Sequence, residues 1–424
     1  MKVNKNIRRE IEVYANWDEQ KPPVLMGRLY AEPVRGNEIF SFEYDKSYLK
    51  DGMASVLDPD LRLYGGTQYL AQGKENFGLF LDSSPDRWGR LLMRRREAAL
   101  ARYESRPERT LLESDYLLGV FDEQRMGALR FKTDATGPFL NDDVRLSSPP
   151  WISLRTLEEI SLKLENEDAV DDPEYLKWLN MLIQPGSSLG GARPKAGVHD
   201  PEGHLWIAKF PSLSDGINIG AWEMVVHQLA VASGVNMAQA QIHKFSSPYD
   251  TFLTKRFDRK QSGGRIHFAS AMTLLGYSDG TDFHDGVSYL ELAEFIIQNC
   301  CEVNADLEEM WRRIVFHIAV SNTDDHLRNH GFLLTKTGWR LSPAFDINPN
   351  PDGRGLKLNI SENDNSLDLE LVMSVKDYFR VSDKKADQIV GKISESVSQW
   401  KSVSSRLGIS RNEQELMERA FGRV

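Results

Sequence analysis

Cysteine is nearly absent from this sequence: its 424 residues include only the adjacent pair Cys300 and Cys301. Neighbouring cysteines rarely form a stable disulfide, and a four-ligand zinc site needs more thiol or imidazole ligands than one such pair supplies. We therefore interpret both side chains as buried thiols of a protein that works in a reducing compartment.

Long apolar runs and an N-terminal signal are also lacking. No uncharged apolar run approaches the roughly 18 residues that a membrane-spanning helix requires. The stretch from Met1 to Arg9 is polar and basic, and no apolar signal core follows it. We expect a cytoplasmic protein without a membrane partner.

An excess of basic residues is absent as well. Lys and Arg number 52 against 62 Asp and Glu, which gives a formal net charge of −10. A chain that binds nucleic acid by itself favours a basic surface, so we do not interpret this one as a general nucleic-acid binder. The local exception is a basic helical segment, which is either a solvated helix face or a surface for an acidic partner; it contains Arg87, Arg90, Arg94, Arg95 and Arg96.

The chain is long enough for two or three domains or lobes. β-rich runs at 11–14, 24–30 and 39–42 predict an N-terminal meander, and a second hairpin is predicted over 117–131. Helical patterns follow at 156–166, 173–183 and 218–233, and the chain is mostly helical from 268, except for a hairpin over 331–345. The predicted domains are a β-rich N-terminal subdomain (1–135), a β-rich lobe (150–257) and a helical lobe (258–424), an α+β fold.

The strongest chemical signal is the segment from Thr323 to Asn329. Asp324 and Asn329 stand in the D-x-x-x-x-N spacing of a protein-kinase catalytic loop. A carboxylate there can accept a hydroxyl proton while an amide oxygen binds a metal. A predicted hairpin and then Asp346 follow, in the order in which kinases place a magnesium ligand. A competing hypothesis is a metallohydrolase, because His326 and His330 are four residues apart, a metal-ligand spacing if the segment is helical.

The second signal is a glycine-rich run from Gly186 to Lys195, which could bring backbone N–H groups close to a phosphate. It lacks the spacing of a P-loop. Two predicted strands follow, and the second ends in Lys209, the form of a kinase ATP-lysine strand. Glu223, on the next predicted helix, is a candidate partner for Lys209, and the segment around Lys255 falls where a kinase hinge would contact adenine.

Together these segments resemble the HipA family of bacterial toxin serine/threonine kinases. The resemblance rests on Ser188-Leu189-Gly190-Gly191-Ala192-Arg193-Pro194-Lys195, on the segments 323–329 and 343–346, on the hinge 256–259 and on an N-terminal signature over 77–90. It implies a two-lobed protein-kinase-like fold with an extra N-terminal subdomain, ATP and Mg²⁺ as cofactors, and a HipB-like DNA-binding antitoxin as partner. Operator DNA would be reached only through that complex, and the protein substrate would be an aminoacyl-tRNA synthetase or a similar cytoplasmic protein.

The resemblance also implies a role for each matching residue. Asp324 would be the catalytic base, Asn329 and Asp346 the magnesium ligands, and Ser188 a self-phosphorylated serine. One departure is Lys255, which stands where a glutamate is more usual. The expected nucleotide-binding set is Gly190, Gly191, Ala192, Arg193, Pro194, Lys195, Lys209, Lys255, Arg256, Phe257, His326, Arg328, Asn329 and Asp346. Alternatives are a small-molecule kinase on the same fold, or an inactive kinase fold that acts as an antitoxin-bound co-repressor.

Overall fold

The computed structural model describes residues 8–17, 22–50, 56–71, 73–140, 149–183, 191 and 193–423. Backbone contacts divide the chain into two compact units. The first comprises Met1–Ala208, Asp258–Ala269 and Gly276–Ser278, and the second comprises Lys209–Phe257, Ser270–Leu275 and Asp279–Val424.

The first unit contains an antiparallel five-stranded sheet with the order β4-β3-β2-β1-β5. Arg35 and Gly36 join β2 to β3 and both have positive φ, 50° and 91°, as a tight two-residue hairpin turn requires. The predicted meander is therefore present. The strands are β1 (Arg9–Ala15), β2 (Val24–Val34), β3 (Asn37–Tyr44), β4 (Thr67–Tyr69) and β5 (Leu129–Lys132).

The helices of this unit are α1 (Lys46–Lys50), α2 (Gly78–Leu81), α3 (Arg87–Tyr103), α4 (Glu113–Gly119), α5 (Leu154–Glu165) and α6 (Tyr175–Ile183). The hairpin predicted over 117–131 is wrong. Its first arm is α4, whose start is fixed because the Asp115 carboxylate accepts the Leu112 N–H at 2.9 Å. Its second arm is β5, which pairs with β1.

Two strands follow in sequence, β6 (Lys195–His199) and β7 (Leu205–Lys209). The turn between them is closed by the Asp200 N–H, which donates to the His204 carbonyl at 3.0 Å. Leu205 to Ala208 are buried, so the apolar run holds β7 in the protein interior as far as Lys209.

The second unit is mostly helical. Its core includes Trp311, which is fully buried, and Trp222, whose ring lies 6.3 Å from that of Trp400. The remaining elements, of which β10 starts in the first unit, are α7 (Ile219–Ala232), β8 (Ala240–His243), β9 (Thr251–Lys255), β10 (Phe268–Ser270), α8 (Ala271–Leu274), α9 (Tyr289–Asn299), α10 (Val303–Ala319), β11 (Gly331–Thr335), β12 (Gly338–Leu341), α11 (Leu369–Ser374), α12 (Asp383–Val397), α13 (Trp400–Arg406) and α14 (Arg411–Met417).

The predicted hairpin after the catalytic segment is the antiparallel pair of β11 and β12. The predicted helix at 218–233 is α7, and Gly234 follows it with φ of 84°. Of the two cysteines, Cys300 is buried as predicted, whereas Cys301 is only half-buried. Within the described ranges, the structure has no helix with the length and apolarity needed to cross a membrane.

Candidate active site

Lys209 lies at the centre of an ion-pair cluster in the second unit. Its Nζ is 2.6 Å from Glu223 Oε1 and 2.7 Å from Asp346 Oδ1. Burial disfavours a charged ammonium, but the two carboxylates outweigh burial and raise the pKa of Lys209 above its ordinary value. Lys209 is therefore a fixed positive charge, and the predicted pairing with Glu223 is present.

Two elements bring this pair together. Lys209 is the last residue of β7, and Glu223 lies in α7, where nine residues from Gly220 to Ala230 are buried. A helix enclosed on most sides delivers its glutamate into the interior, and Glu223 is only 5% exposed. A buried carboxylate of this kind needs a cationic partner, which Lys209 provides.

Asp346 has a left-handed backbone conformation, with φ of 57°, which is uncommon outside glycine and often marks a functional position. Two neighbours hold this segment beside the predicted catalytic loop. The Asn348 N–H donates to Asn322 Oδ1 at 3.2 Å, and Asn350 Nδ2 donates to Thr323 Oγ1 at 2.7 Å. The two segments that sequence spacing linked therefore lie side by side.

The predicted catalytic loop begins where α10 ends and contains one short 3₁₀ turn, Leu327–Asn329. The Asp324 side chain is exposed, while Asn329 is buried. Asn329 Nδ2 donates to the Asp324 backbone carbonyl at 2.9 Å. This bond closes the loop and assigns the donor end of the amide to Asp324, so the amide oxygen remains as an acceptor.

The donor chemistry at Asn329 and Asp346 suits magnesium, which prefers carboxylate, amide and phosphate oxygens. The metallohydrolase hypothesis fits less well, because the segment is a three-residue turn instead of a helix and His330 Nε2 is hydrogen-bonded to Asp325. In the described part of the chain, the cluster with metal-ligand spacing is Asp200, Glu202 and His204, in the turn between β6 and β7.

The sequence alone assigned no role to Asp325. Unlike Asp324 it is buried, with 1% exposure, and its Oδ2 accepts hydrogen bonds from His317 Nδ1 at 2.7 Å, from His330 Nε2 at 3.0 Å and from the Tyr289 hydroxyl. Burial alone would raise the pKa of this carboxyl, but the two imidazoles beside it hold it below its usual range.

Three residues of the predicted hinge segment, Lys255, Arg256 and Phe257, lie in the second unit at the end of β9. The Lys255 N–H donates to the Gln239 carbonyl at 2.8 Å, and the Lys255 side chain is half-buried. Arg256 is buried, and the Phe257 ring lies 5.5 Å from that of Phe345. The hinge therefore packs against the residue that precedes Asp346.

Two further predicted nucleotide residues, His326 and Arg328, are half-buried members of the catalytic loop. Arg328 lies 3.8 Å from the Asp279 carboxylate. His326 Nδ1 is buried and makes no hydrogen bond among the residues that the structure describes. A ligand could supply that missing partner.

The glycine-rich run belongs to the first unit, and Ser188, Gly190 and Ala192 lie outside the described residues. Gly191 has φ of 92°, Arg193 is half-buried and Pro194 is buried. The Lys195 side chain is buried, and its Nζ lies 2.7 Å from Asp86 Oδ2. The structure thus places the Lys195 ammonium in an internal ion pair.

The basic segment forms the N-terminal part of α3, and several of its arginines make contacts within the same unit. Arg90 makes a bidentate pair with Glu113, with a 2.7 Å bond from Nη2, and stacks over the Tyr116 ring. Arg95 donates to the Leu164 carbonyl at 2.6 Å, and Arg96 to Asn180 at 2.8 Å. These contacts give much of the basic face an internal role.

Comparison with known proteins identifies a matching family profile and similar sequences. The profile of the HipA-like C-terminal domain matches residues 187–400. A putative kinase of Haemophilus influenzae is 31% identical over 127 residues, which cover 28% of this chain and 36% of the relative. The serine/threonine-protein kinase toxin HipA of Shewanella oneidensis is 27% identical over 143 residues, which cover 30% of this chain and 33% of the relative. The chain thus spans about a third of these curated relatives.

A solved complex of HipA, HipB and operator DNA from Shewanella oneidensis contains a similar fold, with a TM-score of 0.61 and 18% identity over 97% of this chain and 94% of the other. The predicted α+β class is confirmed, with β-sheets in the N-terminal part and helices in the C-terminal part. Because the family profile covers half of the sequence, the chain belongs to the family defined by the HipA-like C-terminal domain.

Proposed function

We propose that this protein is an ATP- and magnesium-dependent serine/threonine protein kinase that works in the cytoplasm as the toxin of a toxin–antitoxin module. The observation that carries the proposal is the contact of Lys209 with both Glu223 and Asp346. Kinases need a fixed cation for the phosphates, a carboxylate that orients it and a second carboxylate for magnesium. The Lys209 ammonium contacts both carboxylates directly.

The exposed Asp324 would accept the proton of the attacking hydroxyl, because its carboxylate is open to a substrate while its backbone is held by Asn329. Asn329 and Asp346 would hold magnesium, which neutralises charge on the transferred phosphoryl group. The nucleotide would be held by the run Gly190, Gly191, Ala192, Arg193, Pro194 and Lys195, by Lys209, by the hinge Lys255, Arg256 and Phe257, and by His326 and Arg328.

The partners in this proposal follow from family membership. We expect a HipB-like antitoxin and contact with operator DNA only through it, as the net charge of −10 favours. An aminoacyl-tRNA synthetase is the proposed protein substrate. Ser188 is the proposed autophosphorylation site, since it stands at the position of the self-phosphorylated serine in the family's glycine-rich loop. Phosphate there would add about −1.5 to −2 charges in the loop that is proposed to bind the ATP phosphates, and it would therefore disfavour nucleotide binding.

The test is incubation of the purified chain with labelled ATP and magnesium, followed by mass mapping of phosphosites. We expect label on Ser188 in the wild type and none in Asp324→Asn. A matched control is Asp383→Asn, which changes an exposed carboxylate that pairs only at the surface with Lys376. Binding of magnesium-ATP without any transfer to protein would favour a small-molecule kinase, and absence of binding would favour the inactive co-repressor.

A further inference from the structure

Asp325 brings side chains from three segments of the second unit together at one oxygen atom. Tyr289 is the first residue of α9, His317 lies in the last turn of α10, and His330 immediately precedes β11. All three side chains meet Asp325 Oδ2. A carboxylate that accepts several hydrogen bonds in a buried site is held in one place, because every bond would have to break before it could move.

The bonds determine the orientation of both imidazoles. A neutral His317 must carry its proton on Nδ1 and a neutral His330 must carry its proton on Nε2, since these atoms face the carboxylate. The other nitrogens, His317 Nε2 and His330 Nδ1, are buried without a hydrogen-bond partner among the described residues. The polar bonds of this cluster are therefore concentrated on Asp325.

The cluster brackets the proposed reacting groups in the sequence. Asp325 follows Asp324, and His330 follows Asn329. The side-chain bond between Asp325 and His330 therefore closes the same loop as the neighbouring bond between Asn329 Nδ2 and the Asp324 carbonyl. Two backbone bonds complete the loop: His326 N–H to the Asp324 carbonyl at 3.0 Å and Asn329 N–H to the His326 carbonyl at 2.8 Å.

We propose that Asp325 is a positioning residue that, through Tyr289, His317 and His330, fixes the loop on which Asp324 and Asn329 converge. The proposal rests on the proposed kinase function. Asp325 itself faces inward and touches no substrate; it acts by fixing the direction of the preceding carboxylate. Displacement of a reacting group by about 1 Å can cost roughly 10²-fold in rate.

The decisive variant is Asp325→Asn, with Asp306→Asn as its matched control. Asp306 is also a buried carboxylate of this unit; it accepts from Arg340 Nε at 3.1 Å and from the Leu341 N–H at 3.3 Å. It lies eleven residues before His317 on α10, about 16 Å along the helix. Both variants lose a buried charge, but only Asp325→Asn loses it in the proposed catalytic loop.

Turnover is measured at saturating magnesium and divided by the number of ATP-binding sites from calorimetry, so that unfolded protein does not count. We expect kcat per site to fall at least about tenfold in Asp325→Asn, with KM for ATP within about threefold, and to stay within about twofold in Asp306→Asn. Tyr289→Phe removes one donor and should give an intermediate fall. It decides the matter if Asp325→Asn does not fold.

Hydrogen exchange of the His326 and Asn329 amides gives a second measurement that needs no catalysis. We expect exchange at least about tenfold faster in Asp325→Asn than in Asp306→Asn, because the loop loses its anchor. Equal kcat per site in the two variants, or equal exchange at both amides, would overturn the positioning role. If the wild type transfers no phosphate at all, the kinase proposal fails and exchange alone decides about Asp325.

Discussion

Removing the charge of Asp86 tests what the Lys195 ammonium does in the folded protein. The sequence predicts that Lys195 holds phosphate, yet the structure pairs its Nζ with Asp86 Oδ2 at 2.7 Å, with side-chain exposures of 2% and 1%. The other oxygen of Asp86 accepts the Gly89 N–H at 2.8 Å and so caps α3. One carboxylate thereby connects the start of a helix to the start of β6.

The magnitude follows from this burial. Leaving one member of a buried ion pair without its partner costs about 3–5 kcal/mol. Asp86→Asn keeps an oxygen that can cap α3, since Asn and Asp are comparable N-caps, so the variant removes the ion pair and retains the cap. Lys195→Met removes the other member of the same ion pair and should cost a similar amount. The double variant lacks both charges of this pair and should cost less than the sum of the two single variants.

The assay is urea unfolding of the wild type, both single variants and the double variant, together with magnesium-ATP titration by calorimetry under native conditions. A structural pair predicts a coupling free energy of about 2–3 kcal/mol between the two sites and similar ATP affinity in both single variants. Additive losses in the cycle would refute the ion-pair reasoning. If Lys195→Met binds ATP far more weakly than Asp86→Asn, the phosphate role of Lys195 is supported.

The remaining predictions concern catalysis, metal and pH. Asp324→Asn should lower phosphoryl transfer by about 10²- to 10⁴-fold and keep ATP affinity, measured by kinetics and calorimetry. Asp346→Asn should weaken ATP binding in magnesium but not in EDTA. Burial lowers the pKa of His267 to about 3. As pH falls below about 6.5, this imidazole therefore gains a proton in the unfolded chain but not in the folded protein. Stability should then decline by about 1.4 kcal/mol per pH unit between these values, and His267→Gln should remove this part of the slope in urea unfolding.

Elements with a local signal were predictable from the sequence. The meander shows in its β-rich runs, and the turn at Arg35 and Gly36 in a residue type that tolerates positive φ. The hairpin of β11 and β12 was correctly predicted because its arms are adjacent and pair with each other. The hairpin over 117–131 was not, since β5 finds its partner in β1, more than a hundred residues away in the sequence. A short stretch of sequence does not indicate a strand pairing between residues that are so far apart in the chain.

The candidate site also has a part that the sequence predicts and a part that only the tertiary fold determines. Spacing places Asp324, Asn329 and Asp346 in a kinase order, but it cannot tell which of the adjacent residues Asp324 and Asp325 faces inward. That choice depends on Tyr289, which lies 36 residues before Asp325 in the sequence, and on the direction in which the chain leaves α10. Two neighbouring carboxylates with opposite surroundings are a product of the tertiary fold.

The ion pairs of Lys209 lead us to expect that magnesium and nucleotide, as proposed, bind together. The Lys209 ammonium lies against two carboxylates, those of Glu223 and Asp346. Lys209 already neutralises part of the charge on Asp346, and Mg²⁺ usually needs substrate phosphates among its ligands. In the proposed function, a triphosphate would attract the Lys209 ammonium and would supply oxygen ligands to the metal. The Asp346 carboxylate would then lose its ion pair as it gained the metal ion, so we expect each ligand to strengthen the binding of the other.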